Sequence, residues 1–270
     1  MLYEAVAADL KARCVEAFVI KDPVDLKIQN GLKDDLACVV RTDLEGVEAL
    51  AQFYLTDWRK RGFTLAVRFL ENYLKADADE IKLGRADALA FEEVQDAVAV
   101  NIERFWLDNL IEPKSKEPGV NEAVEAITNI PEVKNQSFED HWVKLIPSTA
   151  FWTRVKLKLG FDVEPQSGSI AFGPGGGNLK STGKFDLQRK GDLILVEGKI
   201  THVWSDDGYN FDKGTAFYDE SQILERHKKA SPFRWKAEWE DVFTGEILIL
   251  DSYSAKPWRR GIRFEVTPAS

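Results

Sequence analysis

The sequence predicts an α+β protein: a helical N-terminal half, residues 1–145, then an antiparallel, β-rich, open or half-barrel-like C-terminal half, residues 146–270, with one short helix. Three observations carry this expectation. Apolar side chains recur at helical spacing before residue 110 and alternate with polar ones after about residue 148. Six of the eight Trp follow residue 140, so the β half holds most of the aromatic mass.

Residues 3–20 read as a helix of modest amphipathicity that Pro23 would stop. A second helical block starts near Leu44, with Val47, Leu50, Ala51, Tyr54, Leu55 and Trp58 on one stripe, until Gly62 interrupts it. Ala66, Phe69, Leu70, Tyr73 and Leu74 then repeat at i, i+3, i+4, i+7 and i+8, the pattern of a helix that buries one face. A third helix is expected over Ala86–Leu110, with Val94, Val98, Ile102 and Phe105 inward. Pro113, Pro118 and Pro131 break residues 112–140 into a connector, with a short helix over 120–128.

The grammar then changes. Residues 151–159 alternate as a half-buried strand, Gly183–Arg189 less cleanly. Asp192–Trp204 is the longest strand expected, and Glu246–Asp251 and Trp258–Val266 follow. Asp219 and Gln222 have capping-box spacing at the start of a helix over Ser221–Lys229.

Composition narrows the function. Residues 1–140 hold 17 basic and 28 acidic side chains, a balance of −11, whereas residues 141–270 hold 19 and 17, a balance of +2. An acidic front half argues against nucleic acid, which is held by Lys and Arg. Cys14 and Cys38 have no CxxC pattern and read as apolar packers, not as a zinc site or disulfide framework. No apolar run is long enough to span a bilayer, and the start, Met1–Val6, lacks the basic and apolar regions of a secretory signal.

His141, His202 and His227 fall in no metal-ligand spacing, which argues against a zinc hydrolase. Alternation puts His202 on the face of Ile194, Val196, Ile200 and Trp204: either a core histidine or one lining a cleft beside the following acidic loop. The run Gly173-Pro174-Gly175-Gly176-Gly177 lacks the Walker ending and reads as a flexible loop. The cluster Phe233–Trp239 reads as aromatic packing of the β half, and there is no Gly-x-Ser-x-Gly elbow to support acyl transfer.

The most function-like stretch is Ser205–Asp212. It gathers the carboxylates of Asp206, Asp207 and Asp212, the phenol of Tyr209 and the amide of Asn210. Bunched carboxylates can hold Mg²⁺, which prefers oxygen ligands, and such an ion can polarise a phosphate. The plainer reading is a hairpin turn at Asp207-Gly208, with Trp204 and Tyr209 as a cross-strand aromatic pair.

At this loop the chain resembles the activity domain of colicin M and related bacteriocin-type toxins. The resemblance begins at Thr182–Leu187, continues through Gly191–Glu197 and Trp204–Phe211, and resumes at Gly245–Ile249. Leu65–Leu74 is similar to that family's helical segment ahead of the activity domain. The chain is also similar to uncharacterised domains at the ends of bacterial polymorphic toxins and secretion-system effectors.

The resemblance implies an antibacterial hydrolase that uses Mg²⁺, held here by Asp206 and Asp207, to split an undecaprenyl-linked peptidoglycan precursor (lipid II) at its lipid–phosphate bond. The family's catalytic stretch is Asp-x-Tyr-Asp-Phe, followed shortly by His-Arg. Asp207, Tyr209 and Phe211 match it, whereas Asn210 replaces the second carboxylate and the His-Arg position falls near Ala216-Phe217. An amide cannot serve as base or nucleophile near neutral pH. Asp212 and His227 are the shifted residues that could supply the missing functions, with Asp206, His202 and Trp204 on the substrate. The implied protein is made in the bacterial cytoplasm, exported by a secretion system to the target periplasm and matched by an immunity protein. The alternative is a non-catalytic binding or structural module of a larger toxin with a degenerate site.

Overall fold

The computed structural model describes residues 44–130, 135–147, 169, 171–211 and 217–270. The helix expected over 3–20, the strand over 151–159, both cysteines and Asp212 lie outside the described residues. The fold is α+β, with helices in the N-terminal half and an open, antiparallel-rich sheet in the C-terminal half. Two compact units make up the chain, and each draws on both sides of residue 145. The first comprises Met1–Ile81, Pro147–Gly176 and Asp206–Trp235; the second comprises Lys82–Ile146, Gly177–Ser205 and Lys236–Ser270.

In the first unit, α1 (Leu44–Arg61) and α2 (Thr64–Tyr73) follow the two apolar stripes of the sequence, which are buried at Val47, Leu50, Leu55, Ala66, Phe69 and Tyr73. Gly62 separates them because it adopts φ +73°. Gly62 N–H donates to the Arg59 carbonyl at 3.1 Å and Phe63 N–H to the Trp58 carbonyl at 2.9 Å, closing α1 in a Schellman motif.

The second unit carries β1 (Ile81–Leu83) from its second residue on, then α3 (Arg85–Leu89), α4 (Glu92–Phe105), a π-helical turn at Trp106–Ile111 and α5 (Val120–Asn129). The helix expected over Ala86–Leu110 is therefore three pieces. The strands are β2 (Asn135–Ile146), β3 (Gly177–Lys190), β4 (Leu193–Tyr209), β5 (Phe233–Leu250) and β6 (Trp258–Pro268), and α6 (Tyr218–Arg226) of the first unit precedes β5. The sheet order is β1-β5-β4-β3-β2, with β6 also on β5. Pairings β2–β3, β3–β4 and β5–β6 are antiparallel.

Strict alternation along β3 turns Leu179, Ser181, Phe185, Leu187 and Arg189 inward. The Phe185 ring lies over two glycines, since a Cβ on Gly183 or Gly198 would meet it at 2.0 and 2.4 Å. On its other side it stacks on Phe105 of α4 with centroids 3.8 Å apart. Buried Arg189 is satisfied by carbonyls at the end of α5, donating to Thr128 O at 2.6 Å and Ile130 O at 3.1 Å.

Of residues 112–140, read as a connector with a short helix over 120–128, the helix is present as α5, whereas Asn135 onward is strand β2. Asp140 stands at an inward position, so the apolar alternation that marks a strand is interrupted there.

Candidate functional site

The first unit holds a cavity of about 890 Å³. Tyr54 and Trp58 of α1 and Leu70 of α2 form part of its wall, as do Phe172, Phe211, Phe217 and Phe233. Charged groups enter it at Glu80, Asp206, Asp207 and Arg234, and the backbone of Gly173–Gly176 completes it. The aromatic wall is tightly built: Trp58 stacks on Phe172 at 5.1 Å, and Phe211 meets Phe217 edge-on at 4.9 Å. Gly173 must be glycine, because a Cβ would come within 2.5 Å of the Ser169 carbonyl and 3.2 Å of Ala66 N.

Asp206, Asp207, Tyr209 and Asn210 all line this cavity, but not on a hairpin. Strand β4 runs unbroken to Tyr209, and Gly208 is absent from the positive-φ glycines that a type I′ turn would need. Trp204 and Tyr209 therefore share one strand and cannot be a cross-strand pair. The carboxylates of Asp206 and Asp207 are exposed, and Asp206 Oδ1 accepts a 2.8 Å bond from Asp207 N–H.

Tyr209 is buried instead. Its ring packs against Phe69, Tyr73, Phe211 and Phe233, and its hydroxyl donates to the Phe172 carbonyl at 3.1 Å. Burial pushes the phenol well above its ordinary pKa, so it stays protonated. Tyr73 beside it donates to Glu225, and burial followed by that carboxylate raises its phenol too. Asn210 is exposed at the cavity, while His227 is exposed at the end of α6 and does not line it. Among the described residues, no histidine lines the cavity.

His202 and Trp204 belong to the second unit, both fully buried. Asn101 Nδ2 donates to Ser181 Oγ at 2.9 Å, and Ser181 Oγ lies 2.8 Å from His202 Nδ1. The serine hydroxyl is then free to donate to Nδ1, which leaves the imidazole proton on Nε2. Nε2 faces Asp241 Oδ2 at 3.5 Å without a hydrogen bond, and Arg85 Nε holds Asp241 Oδ1 at 3.2 Å. Burial, and then the Arg85 charge, push the imidazole down to about 4, so it is neutral at physiological pH. Ser, His and Asp here repeat the residue types of a hydrolytic triad, yet they are 1%, 0% and 2% exposed. A nucleophile so enclosed meets no substrate, and the group is a core polar network.

Comparison with protein-family models, with curated proteins and with solved structures gives no match to this chain. The site therefore rests on its own geometry.

Sequence reasoning missed Tyr54, Trp58, Glu80, Phe172 and Arg234 as cavity residues. Tyr54 and Trp58 sit on a helical stripe that reads only as core. The glycine run reads as a loop, and its signal was its density beside an aromatic, Phe172.

Proposed function

We propose that the cavity of the first unit binds an amphipathic, phosphate-bearing ligand, and that the protein is an antibacterial effector of the colicin M type acting on a lipid-linked peptidoglycan precursor. The observation that carries this reading is that Asp206, Asp207, Glu80 and Arg234 enter one cavity whose wall is mostly aromatic, aliphatic and glycyl. Such a lining suits a ligand with an apolar chain and an anionic head. Arg234 offers a guanidinium to a phosphate oxygen, and the apolar wall excludes water around the head.

A divalent ion fits the donor set, because Asp206 and Asp207 offer only oxygen and Mg²⁺ binds through one or two carboxylates plus substrate phosphates. Mg²⁺ held there would supply Lewis-acid polarisation of a phosphoryl oxygen. Asp207 and Asp206 bind and orient; Tyr209 fixes the wall through Phe172 rather than donating to the ligand. Delivery to the target periplasm and an immunity partner belong to the same reading. On the membrane itself, no helix of the described residues is long and apolar enough to cross.

A second reading is binding without turnover. It is favoured by the Tyr209 hydroxyl being engaged by Phe172 and by Asn210 standing where the family has a carboxylate.

One experiment separates them: purified full chain with lipid II and Mg²⁺, assayed for both retention and release of the lipid alcohol. Turnover that falls at least ~100-fold in Asp207→Ala supports hydrolysis, a loss of the size expected for a group acting in the transition state. Retention without release, weakened by Asp207→Ala, supports the binding module. Neither retention nor release sinks both.

A further inference from the structure

Three metal-ligating side chains converge in the second unit, apart from the cavity. Glu117, Asp140 and His141 bring one ligand atom each within 4.8 Å of one another. Glu117 comes from the segment ahead of α5, and Asp140 and His141 are neighbours on β2. His141 Nδ1 stands 3.1 Å from Glu117 Oε1, close to the ~3.3 Å edge that two ligands span at tetrahedral zinc distances.

Asp140 is only 4% exposed and is held from three directions. Its Oδ2 accepts from Asn109 Nδ2 and Ser115 Oγ, both at 2.7 Å, and its Oδ1 accepts from His141 N–H at 2.7 Å. An ionised carboxylate oxygen has two lone pairs, so Oδ1 keeps one for a further partner.

The residue that holds Asp140 is itself incompletely paired. Asn109 is fully buried, and while its amide nitrogen engages Asp140, its Oδ1 has no hydrogen-bond partner. An unpaired buried carbonyl oxygen is costly, and native structures leave few of them. Asn109 is carried by the π-helical turn Trp106–Ile111, a distortion found mostly at functional sites.

We propose that Glu117, Asp140 and His141 form a binding site for a divalent transition-metal ion of the Zn²⁺ class, with Asn109 as the positioning residue that fixes Asp140. The mixed nitrogen and oxygen donors select such an ion over Mg²⁺ or Ca²⁺, which take oxygen alone. Three protein ligands would leave a fourth position for a water molecule. Bound metal ties the segment ahead of α5 to strand β2.

The test is titration of chelator-treated full chain with Zn²⁺, and separately with Mg²⁺, by calorimetry, together with thermal unfolding. The expected result is one equivalent of Zn²⁺ bound at least 10-fold tighter than Mg²⁺, with a Tm that rises with Zn²⁺ concentration. His141→Ala and Glu117→Gln should each weaken Zn²⁺ binding at least 10-fold. These side chains are 43% and 35% exposed, so metal-free unfolding midpoints should match the parent and exclude misfolding as the cause. No Zn²⁺ uptake by the parent, or uptake unchanged in both variants, overturns the proposal.

Discussion

The two units treat the same side chain in opposite ways. In the first, Asp206 and Asp207 are left exposed on an aromatic cavity. In the second, Asp140 and Asp241 are 4% and 2% exposed, and each is met by protein donors: Asn109, Ser115 and a backbone N–H for one, Arg85 for the other. A carboxylate is costly to bury unless the protein supplies its partners. The second unit supplies them, leaving only one Asp140 Oδ1 lone pair for the proposed ion. The first leaves its carboxylates open to a partner from solution.

Phe105→Ala should be the most damaging change, because its ring stacks on Phe185 and touches Phe138 and Phe243 in the sealed core. A loss of about 3–5 kcal/mol is expected for a buried Phe, read from urea unfolding.

The His202 network should show next as a pH dependence. The folded imidazole titrates at about 4 against an ordinary value of 6.5. As pH falls below ~6.5 the unfolded chain takes up the proton first, so stability is lost between ~6.5 and ~4, by about 3 kcal/mol in all. His202→Gln should lack that slope. A slope that persists in the variant assigns it to another group.

Tyr209→Phe removes the bond to the Phe172 carbonyl while keeping the ring, and should cost about 1 kcal/mol. Lipid II retention should survive it if the hydroxyl only braces the wall; loss of retention would make the phenol a ligand contact. Asp207→Asn should be the mildest for stability, within ~0.5 kcal/mol, as for exposed sites generally. It should nonetheless weaken ligand retention. A stability cost as large as that of Phe105→Ala would erase the distinction between the units.

Much of the fold was legible in particular residues. The stripes from Val47 to Trp58 and from Ala66 to Leu74 foretold α1 and α2, and Gly62 foretold their break. The alternation of Ile194, Val196, Ile200, His202 and Trp204 foretold the buried face of β4, all 0–1% exposed, but left His202 open between a core residue and a cleft residue, and the structure puts it in the core. β2 escaped because Asp140 occupies an inward slot that the pattern reserves for an apolar side chain. The turn expected at Asp207-Gly208 failed because burial of Tyr209 among Phe69, Tyr73 and Phe233 is compatible with an extended chain. The cavity was half legible: Asp206, Asp207, Tyr209 and Asn210 were singled out, while Trp58, Phe172 and Arg234 were not.

Periodicity is a local property of a helix or strand, so the amino-acid pattern alone marked α1, α2 and the buried face of β4. Which side chains meet depends on contacts far apart in the chain. Glu117 with Asp140 and His141, Ser181 with His202 and Asp241, and Trp58 with Phe172 and Asp207 are brought together by strand register and helix packing. Those long-range pairings leave no local period: a one-residue slip in register would turn the strand-borne groups among them to the other face without altering the sequence.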